Sequence, residues 1–299
     1  VTQANVAVVA LFGPTASGKT AVAEALADAL GTEIVSADAM QVYRGLPILT
    51  NQPTRLTRLV AIRDLSQEMS VGEYAPLAHA EIDALIAGCG TVVVAGGTGL
   101  YLRAALAELD LPPAPEPGAR SRWEASYDAD PDQAYLLLQE RDAAAASLVH
   151  PNDRRRVVRA LELAEAGASL APDENRLWTY SMRHPTLLAG LELPADELAR
   201  RVRERTEAMF ARGVVEEVQR ALEGPVSRTA VRALGLREIV ELSPDDAKER
   251  IVRRTTRYAA YQRKWMRRLP ELALVDGTRP HGDIAKELLQ RCRQPAVCG

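Results

Sequence analysis

Apolar and polar residues alternate in two different periods along the first hundred positions. VAVVALF (6–12) is a continuous apolar run of buried-strand length, whereas TAVAEALADAL (20–30) spaces its apolar residues at helical intervals. EIVSAD (33–38) predicts a short strand, AEIDALIAG (80–88) a helix, and TVVVAGG (91–97) a further strand running into glycines. Strands alternating with helices predict an α/β fold, a parallel sheet flanked by helices with ligands at the carboxyl ends of the strands. Each glycine-rich loop falls at such an end.

The pattern changes near residue 112. LPPAPEPG (111–118) is a Pro-rich break, and the chain beyond it is almost wholly helical, interrupted at GASLAPDEN (167–175) and HPTLLAGLELPADE (184–197). Within the second interruption LLAGLEL can supply one more strand. Long amphipathic helices then run over 198–213 and 249–269. The expected organisation is a core domain over 1–111, a helical insertion over 112–183, and a return to the core over 184–299 with basic helices.

Composition changes this picture only in part. At 299 residues and 47% hydrophobic content the chain can bury a sizeable core. There is no apolar run of membrane-spanning length, and VTQANVAVVALFGP shows no basic leader, so a cytoplasmic protein without a membrane partner is expected. Cys89, Cys292 and Cys298 show neither metal nor redox spacing, and His79, His150, His184 and His281 show no metal spacing either, His150 reading as a helix-start residue. The formal charge of −3 hides a segregation: residues 1–150 carry 9 Lys and Arg against 18 Asp and Glu, residues 151–299 carry 28 against 22. The second half can offer a basic patch to a phosphodiester backbone, or simply solvated helix faces.

The chemistry starts at GPTASGKT (13–20), which fits G-x-x-x-x-G-K-[ST] between a strand and a helix. In such a loop Gly13, Thr15, Ala16, Ser17 and Gly18 wrap a diphosphate in backbone N–H groups, Lys19 adds a charge, and the Thr20 hydroxyl suits Mg²⁺. The loop implies a polyphosphate, not necessarily a nucleotide. TVVVAGG ends without the acidic residue an NTPase wants there, which leaves Asp38 as the early carboxylate, with three possible jobs: metal ligand, general base or turn cap.

GPTASGKT, SADAMQVYRG (36–45), AGGTGLY (95–101), HPNDRRRVVRALEL (150–163) and TRYAAYQRKWMRR (256–268), in this order, resemble the bacterial tRNA dimethylallyltransferase (isopentenyl-tRNA transferase) family. The resemblance covers nearly the whole chain. It implies a P-loop NTPase-like core with a mainly helical tRNA-binding insertion, and transfer of a dimethylallyl group from dimethylallyl diphosphate to N6 of adenosine 37 in the anticodon stem-loop, with Mg²⁺ as cofactor. By the same resemblance Asp38 is the general base, Thr98 contacts the oxygen bridging allyl and diphosphate, Arg205 joins the loop residues on the diphosphate, and Gln41 and Thr50 face the RNA, Gln41 reading the adenine on the side away from Lys19 and Arg205. Arg154, Arg155, Arg156 and Arg159, with the nine Lys and Arg against one Glu over 248–268, would hold phosphates. One chain supplies both half-sites, so a monomer is expected.

The sequence departs from the family pattern at Ala39, Leu49, Gln52, Thr57, Ala61 and Ala195, where the family has serine, glycine, lysine, histidine, aspartate and arginine. These departures lie around substrate positioning rather than the bond-making centre. Two other readings stand beside the resemblance: a P-loop small-molecule kinase, and a tRNA-binding homologue without turnover. Trp123, Trp178 and Trp265 read as packing residues rather than base platforms, while Tyr43 and Tyr101 either line the allyl channel or pack.

Overall fold

The computed structural model describes residues 6–109, 111, 116, 118–171, 179 and 181–293; most of the Pro-rich break, the end of the 167–175 interruption, Trp178 and Cys298 lie outside the described residues. The chain divides into two compact units, Val1–Glu108 with Trp178–Gly299, and Leu109–Leu177. The end of the expected insertion, from 178 to 183, thus falls in the first unit. Buried Arg103 donates to the Thr179 carbonyl at 2.9 Å, and Arg183 donates from its backbone to Leu106 and from its guanidinium to Asp83, each at 2.8 Å.

In the first unit β1 (Val8–Phe12) leads through the loop into α1 (Lys19–Leu30), then β2 (Ile34–Ser36), α2 (Val71–Cys89), β3 (Val92–Gly96) and α3 (Gly99–Leu106). α1 stops at Gly31, whose left-handed conformation lets its N–H close on the carbonyls of Ala27 and Asp28. The helix predicted from residue 80 begins at Val71 because Ser70 and Glu73 form a reciprocal capping box there, and Pro76 is tolerated inside it.

The second unit holds α4 (Ala119–Ala129), α5 (Pro131–Arg141), α6 (Ala143–Leu148) and α7 (Arg154–Glu165). Asp130, Asp142 and Asp153 cap the last three through their carboxylates, and Tyr127, Leu138, Val157, Val158 and Leu161 belong to their common core.

The first unit resumes with β4 (Thr186–Glu192), α8 (Ala195–Ala211), α9 (Val214–Ala221), α10 (Leu236–Glu241), α11 (Pro244–Met266), β5 (Ala273–Asp276) and α12 (His281–Arg293). β4 realises the strand expected from LLAGLEL; β5 has no counterpart in the sequence pattern. The sheet is wholly parallel in the order β2-β3-β1-β4-β5. β1 sits in its middle with all five residues buried, as an apolar run without alternation requires. Leu11, Leu26, Leu191, Ile284 and Leu288 pack in one cluster of the core, and truncating Leu26 to Ala there costs about 2–5 kcal/mol.

This order sets three strand exits side by side: Asp38 after β2, GGTG after β3, and the phosphate loop after β1. The approach is close enough to demand glycine at 96, where a Cβ would stand 2.1 Å from the Ala37 carbonyl oxygen.

Candidate active site

Two cavities open along this edge. The first, about 540 Å³, is lined by Thr15 through Ala21, Asp38, Gln41, Gly97, Arg201, Arg205 and His281, among others. The second, about 440 Å³, is lined by Thr98, Val202, Met209, Leu234, Ile251, Arg254, Arg257 and Tyr258, among others. Thr15, Asp38, Thr50 and Arg205 belong to both.

The loop forms the anion-binding concavity its sequence predicts, with left-handed Ala16 (φ 67°) and Gly18 (φ 88°) turning the backbone around the start of α1. Lys19 Nζ donates to the Pro14 carbonyl at 2.7 Å. Burial pulls its ammonium down to about 8, with Asp38 opposing the shift and Arg205 adding to it. Burial likewise lowers Arg205, against the pull of Asp38. Neither cation makes an ion pair among the described residues, an arrangement that favours an incoming polyanion. Ser17 also lines this cavity, and its buried hydroxyl has no hydrogen-bond partner among the described residues. Of the loop residues expected on the diphosphate, Gly13 alone does not line the cavity; it packs against Leu191.

Asp38 Oδ1 accepts the Met40 N–H at 2.9 Å, so the turn-capping job is real. It does not exhaust the carboxylate, since Oδ2 has no hydrogen bond among the described residues and the side chain lines both cavities. Thr98 caps α3 without a side-chain bond to it; its hydroxyl instead accepts from Ala39 N–H at 3.4 Å. Burial and the Asp38 charge push the Tyr258 phenol up to about 12, so it is a neutral hydrogen-bonding group at neutral pH.

Gln41 stands differently from the expectation. It lines the phosphate-side cavity and not the second, and its amide is engaged: Oε1 accepts from Ser36 Oγ at 2.9 Å and Nε2 donates to the Asn51 carbonyl at 2.8 Å. Thr50 is bonded through its hydroxyl to the Leu46 carbonyl at 2.7 Å. Tyr43 and Tyr101 line neither cavity; Tyr43 hydrogen-bonds Thr229 at 2.6 Å, and the Tyr101 ring packs against Tyr74 at a 41° tilt with centroids 4.6 Å apart. Trp265 packs on Gly99, and Trp123 lies under Arg141.

The substituted positions are absorbed locally. Gln52 donates to the carbonyls of Tyr43 and Gln41 at 2.6 and 3.2 Å, and so holds the turn that succeeds Asp38. Leu49 lines the second cavity, Thr57 the first, and Ala195 simply starts α8.

Two buried residues to which the sequence pattern assigns no role hold the site together, although Gln262 lies within the TRYAAYQRKWMRR motif. Gln262 of α11, 2% exposed, accepts the Thr15 N–H at 2.8 Å and donates to the Gly97 carbonyl at 2.7 Å, clamping the loop to GGTG. Glu217 of α9 accepts the N–H groups of Ile48 and Leu49, each at 2.8 Å, and fixes the turn carrying Thr50. A signal existed for the first: Ile251, Thr255, Ala259, Gln262 and Met266 share one buried stripe of α11, and an amide on such a stripe must find partners.

In the second unit Arg154 pairs with Asp128 through two bonds of 2.6 Å, Arg156 with Asp153 at 3.6 Å and Arg159 with Glu162 at 3.2 Å. Arg155 is exposed and has no ion pair among the described residues.

The sequence model of the IPP transferase family matches residues 41–269, and that of the isopentenyl transferase family residues 6–61. The chain belongs to the IPP transferase family. It is 37% identical to the tRNA dimethylallyltransferase of Kineococcus radiotolerans over 96% of this chain and 97% of that protein. It is 40% identical to the protein of the same name from Thermomicrobium roseum, over 91% and 87% of the two chains. Among solved structures it superposes on the tRNA isopentenylpyrophosphate transferase of Bacillus halodurans with a TM-score of 0.66 at 28% identity, covering 95% of this chain and 97% of that one. Among the described residues of this family member, no helix is long and apolar enough to cross a membrane, and no cluster of three or more His, Cys, Asp or Glu is arranged to hold a metal.

Proposed function

We propose that this enzyme transfers a dimethylallyl group from dimethylallyl diphosphate to N6 of adenosine 37 in tRNA and releases diphosphate. The observation that carries the reading is the wall shared by the two cavities: one carboxylate, Asp38, stands with Arg205, Thr15 and Thr50 between a cationic cradle and a second chamber. The cradle takes the diphosphate and the second chamber takes the adenine, flipped out of its stack. As the allylic C–O bond breaks, Lys19, Arg205 and the loop N–H groups receive the charge growing on the diphosphate, and Thr98 hydrogen-bonds the bridging oxygen. The N6 amine, weakened by conjugation with the purine, forms the new C–N bond and gives its proton to Asp38.

The donor set around the cradle fits Mg²⁺. Thr20 faces the first cavity, and a bound diphosphate would complete an oxygen shell that the protein alone does not supply. Bound there, the ion would neutralise the leaving group. The helical insertion would grip the anticodon stem-loop, and a monomer is the expected working unit because one chain lines both cavities. A tRNA substrate carries with it a cytoplasmic location.

Incubation with undermodified tRNA, Mg²⁺ and dimethylallyl diphosphate, followed by nucleoside mass analysis, tests the reading. N6-dimethylallyladenosine is expected. Its absence overturns the proposal, and turnover of ATP with a small acceptor would put a kinase in its place.

A further inference from the structure

We propose that His281, the first residue of α12, is a further diphosphate-binding residue that hydrogen-bonds the terminal phosphate at the mouth of the first cavity. The inference rests on the reading of that cavity as the diphosphate cradle. Its starting observation is a difference among the four histidines. His79 bonds the Ala104 carbonyl at 2.8 Å, His184 bonds Asp83 at 2.7 Å, and His150 accepts from Asn152 N–H at 3.2 Å. Neither ring nitrogen of His281 has a hydrogen-bond partner among the described residues, although the ring lies against the loop. Its Nε2 stands 2.8 Å from the point a Cβ on Gly18 would occupy, with an Arg201 Nη1 3.8 Å from that point. Position 18 therefore needs glycine twice over, for its left-handed φ of 88° and for the imidazole above it.

Gly18 is also the N-cap of α1, where unpaired backbone N–H groups attract an anion. The neighbouring arginines are already engaged. Arg201 is tied to Glu197 at 2.6 Å and to the Gly277 carbonyl, and Arg200 to Glu197 and Glu204. His281 thus joins Lys19 and Arg205 as a donor on this wall with no carboxylate bound to it. It lines the first cavity but not the second, which assigns it to the end of the diphosphate remote from Asp38 and the reacting carbon.

Calorimetric titration of the full chain with inorganic pyrophosphate and Mg²⁺ tests this with the parent, His281→Ala and His281→Gln. His281→Ala is expected to raise the pyrophosphate Kd about fivefold to tenfold, with His281→Gln recovering most of the loss because it restores an N–H donor. KM for dimethylallyl diphosphate should rise in step, while kcat, tRNA affinity and melting temperature stay unchanged. A His281→Ala Kd within about twofold of the parent overturns the role of His281 and leaves the cavity reading standing. A parent that takes up no pyrophosphate overturns both. Loss in the alanine variant without recovery in the glutamine variant, accompanied by a lower melting temperature, overturns the proposal in favour of packing on Gly18.

Discussion

At the loop cavity Lys19 and Arg205 are desolvated and touch no carboxylate, whereas on α7 Arg154 and Arg156 stand at the surface and each is tied to one. The same charge is therefore worth different amounts in the two places. Removing water from a cation raises its free energy, and an arriving anion recovers that cost in a medium that screens it poorly. A surface ion pair holds about 0–1 kcal/mol, so Arg154 or Arg156 can exchange its carboxylate for a phosphate at little cost and with little gain. The cradle is built for one strongly bound group, and α7 for many weak, interchangeable contacts.

Asp38 is the largest lever on this contrast, because its charge is felt by both cradle cations. Asp38→Ala is expected to lower turnover by about 10²-fold or more, since the proton of N6 loses its acceptor. Pyrophosphate affinity should hold or tighten, because a negative charge has left the cradle. Loss of pyrophosphate binding in Asp38→Ala, read by calorimetry, would make Asp38 part of the Mg²⁺ shell and cancel its role as base.

Arg205→Ala comes next. Removing one of two desolvated cations should cost about 10-fold to 10²-fold in kcat/KM for dimethylallyl diphosphate with tRNA affinity unchanged. An effect as small as that of an exposed arginine would erase the distinction between the two regions.

Lys19 gives the contrast a pH signature. Its folded pKa of about 8 lies below the 10.5 of an unperturbed lysine, so between those values the unfolded chain binds more protons than the folded one. The burden of burying Lys19 as a cation is full below about pH 8 and is relieved as pH rises toward the unfolded value. In the absence of ligand, Lys19→Met should melt above the parent near neutral pH, and the gap should narrow as pH is raised past about 9. Saturating pyrophosphate should reverse the order at neutral pH, since only the parent gains the charge pair. A gap that widens with pH would contradict a desolvated Lys19.

The same division separates what the sequence makes legible from what it hides. The loop can be read because its donors are contiguous and its strand and helix flank it. Asp38 and GGTG can be placed because each succeeds an apolar run and so marks a strand exit. Gln262, Glu217 and Tyr258 reach the site from helices of the chain's second half, and only the sheet order brings those helices to the loop. β5 is four residues long, too short for its alternation to stand out, and without it His281 has no position. The Gln41 amide is legible as a residue but not as a donor already spent on Asn51, because that bond depends on a turn whose backbone conformation no periodicity encodes.

The smallest effect belongs to α7, and there the paired and unpaired arginines can be separated. Arg155 has no carboxylate among the described residues, while Arg154 is held by two bonds to Asp128 that lower the carboxyl pKa of Asp128. If both meet phosphates, Arg155→Ala removes a counter-charge outright and should reduce the slope of log K for tRNA against log salt by about one. Arg154→Ala should change it less, because the Asp128 charge has already cancelled part of its field. The double substitution Arg154→Ala with Asp128→Ala restores local neutrality and should bind tRNA as well as or better than Arg154→Ala alone, since the orphaned carboxylate would otherwise repel the backbone. Titration at several salt concentrations reads all three. Equal slopes for Arg154→Ala and Arg155→Ala would mean that the ion pair opens fully on the RNA, and that α7 differs from the cradle in exposure alone and not in pairing.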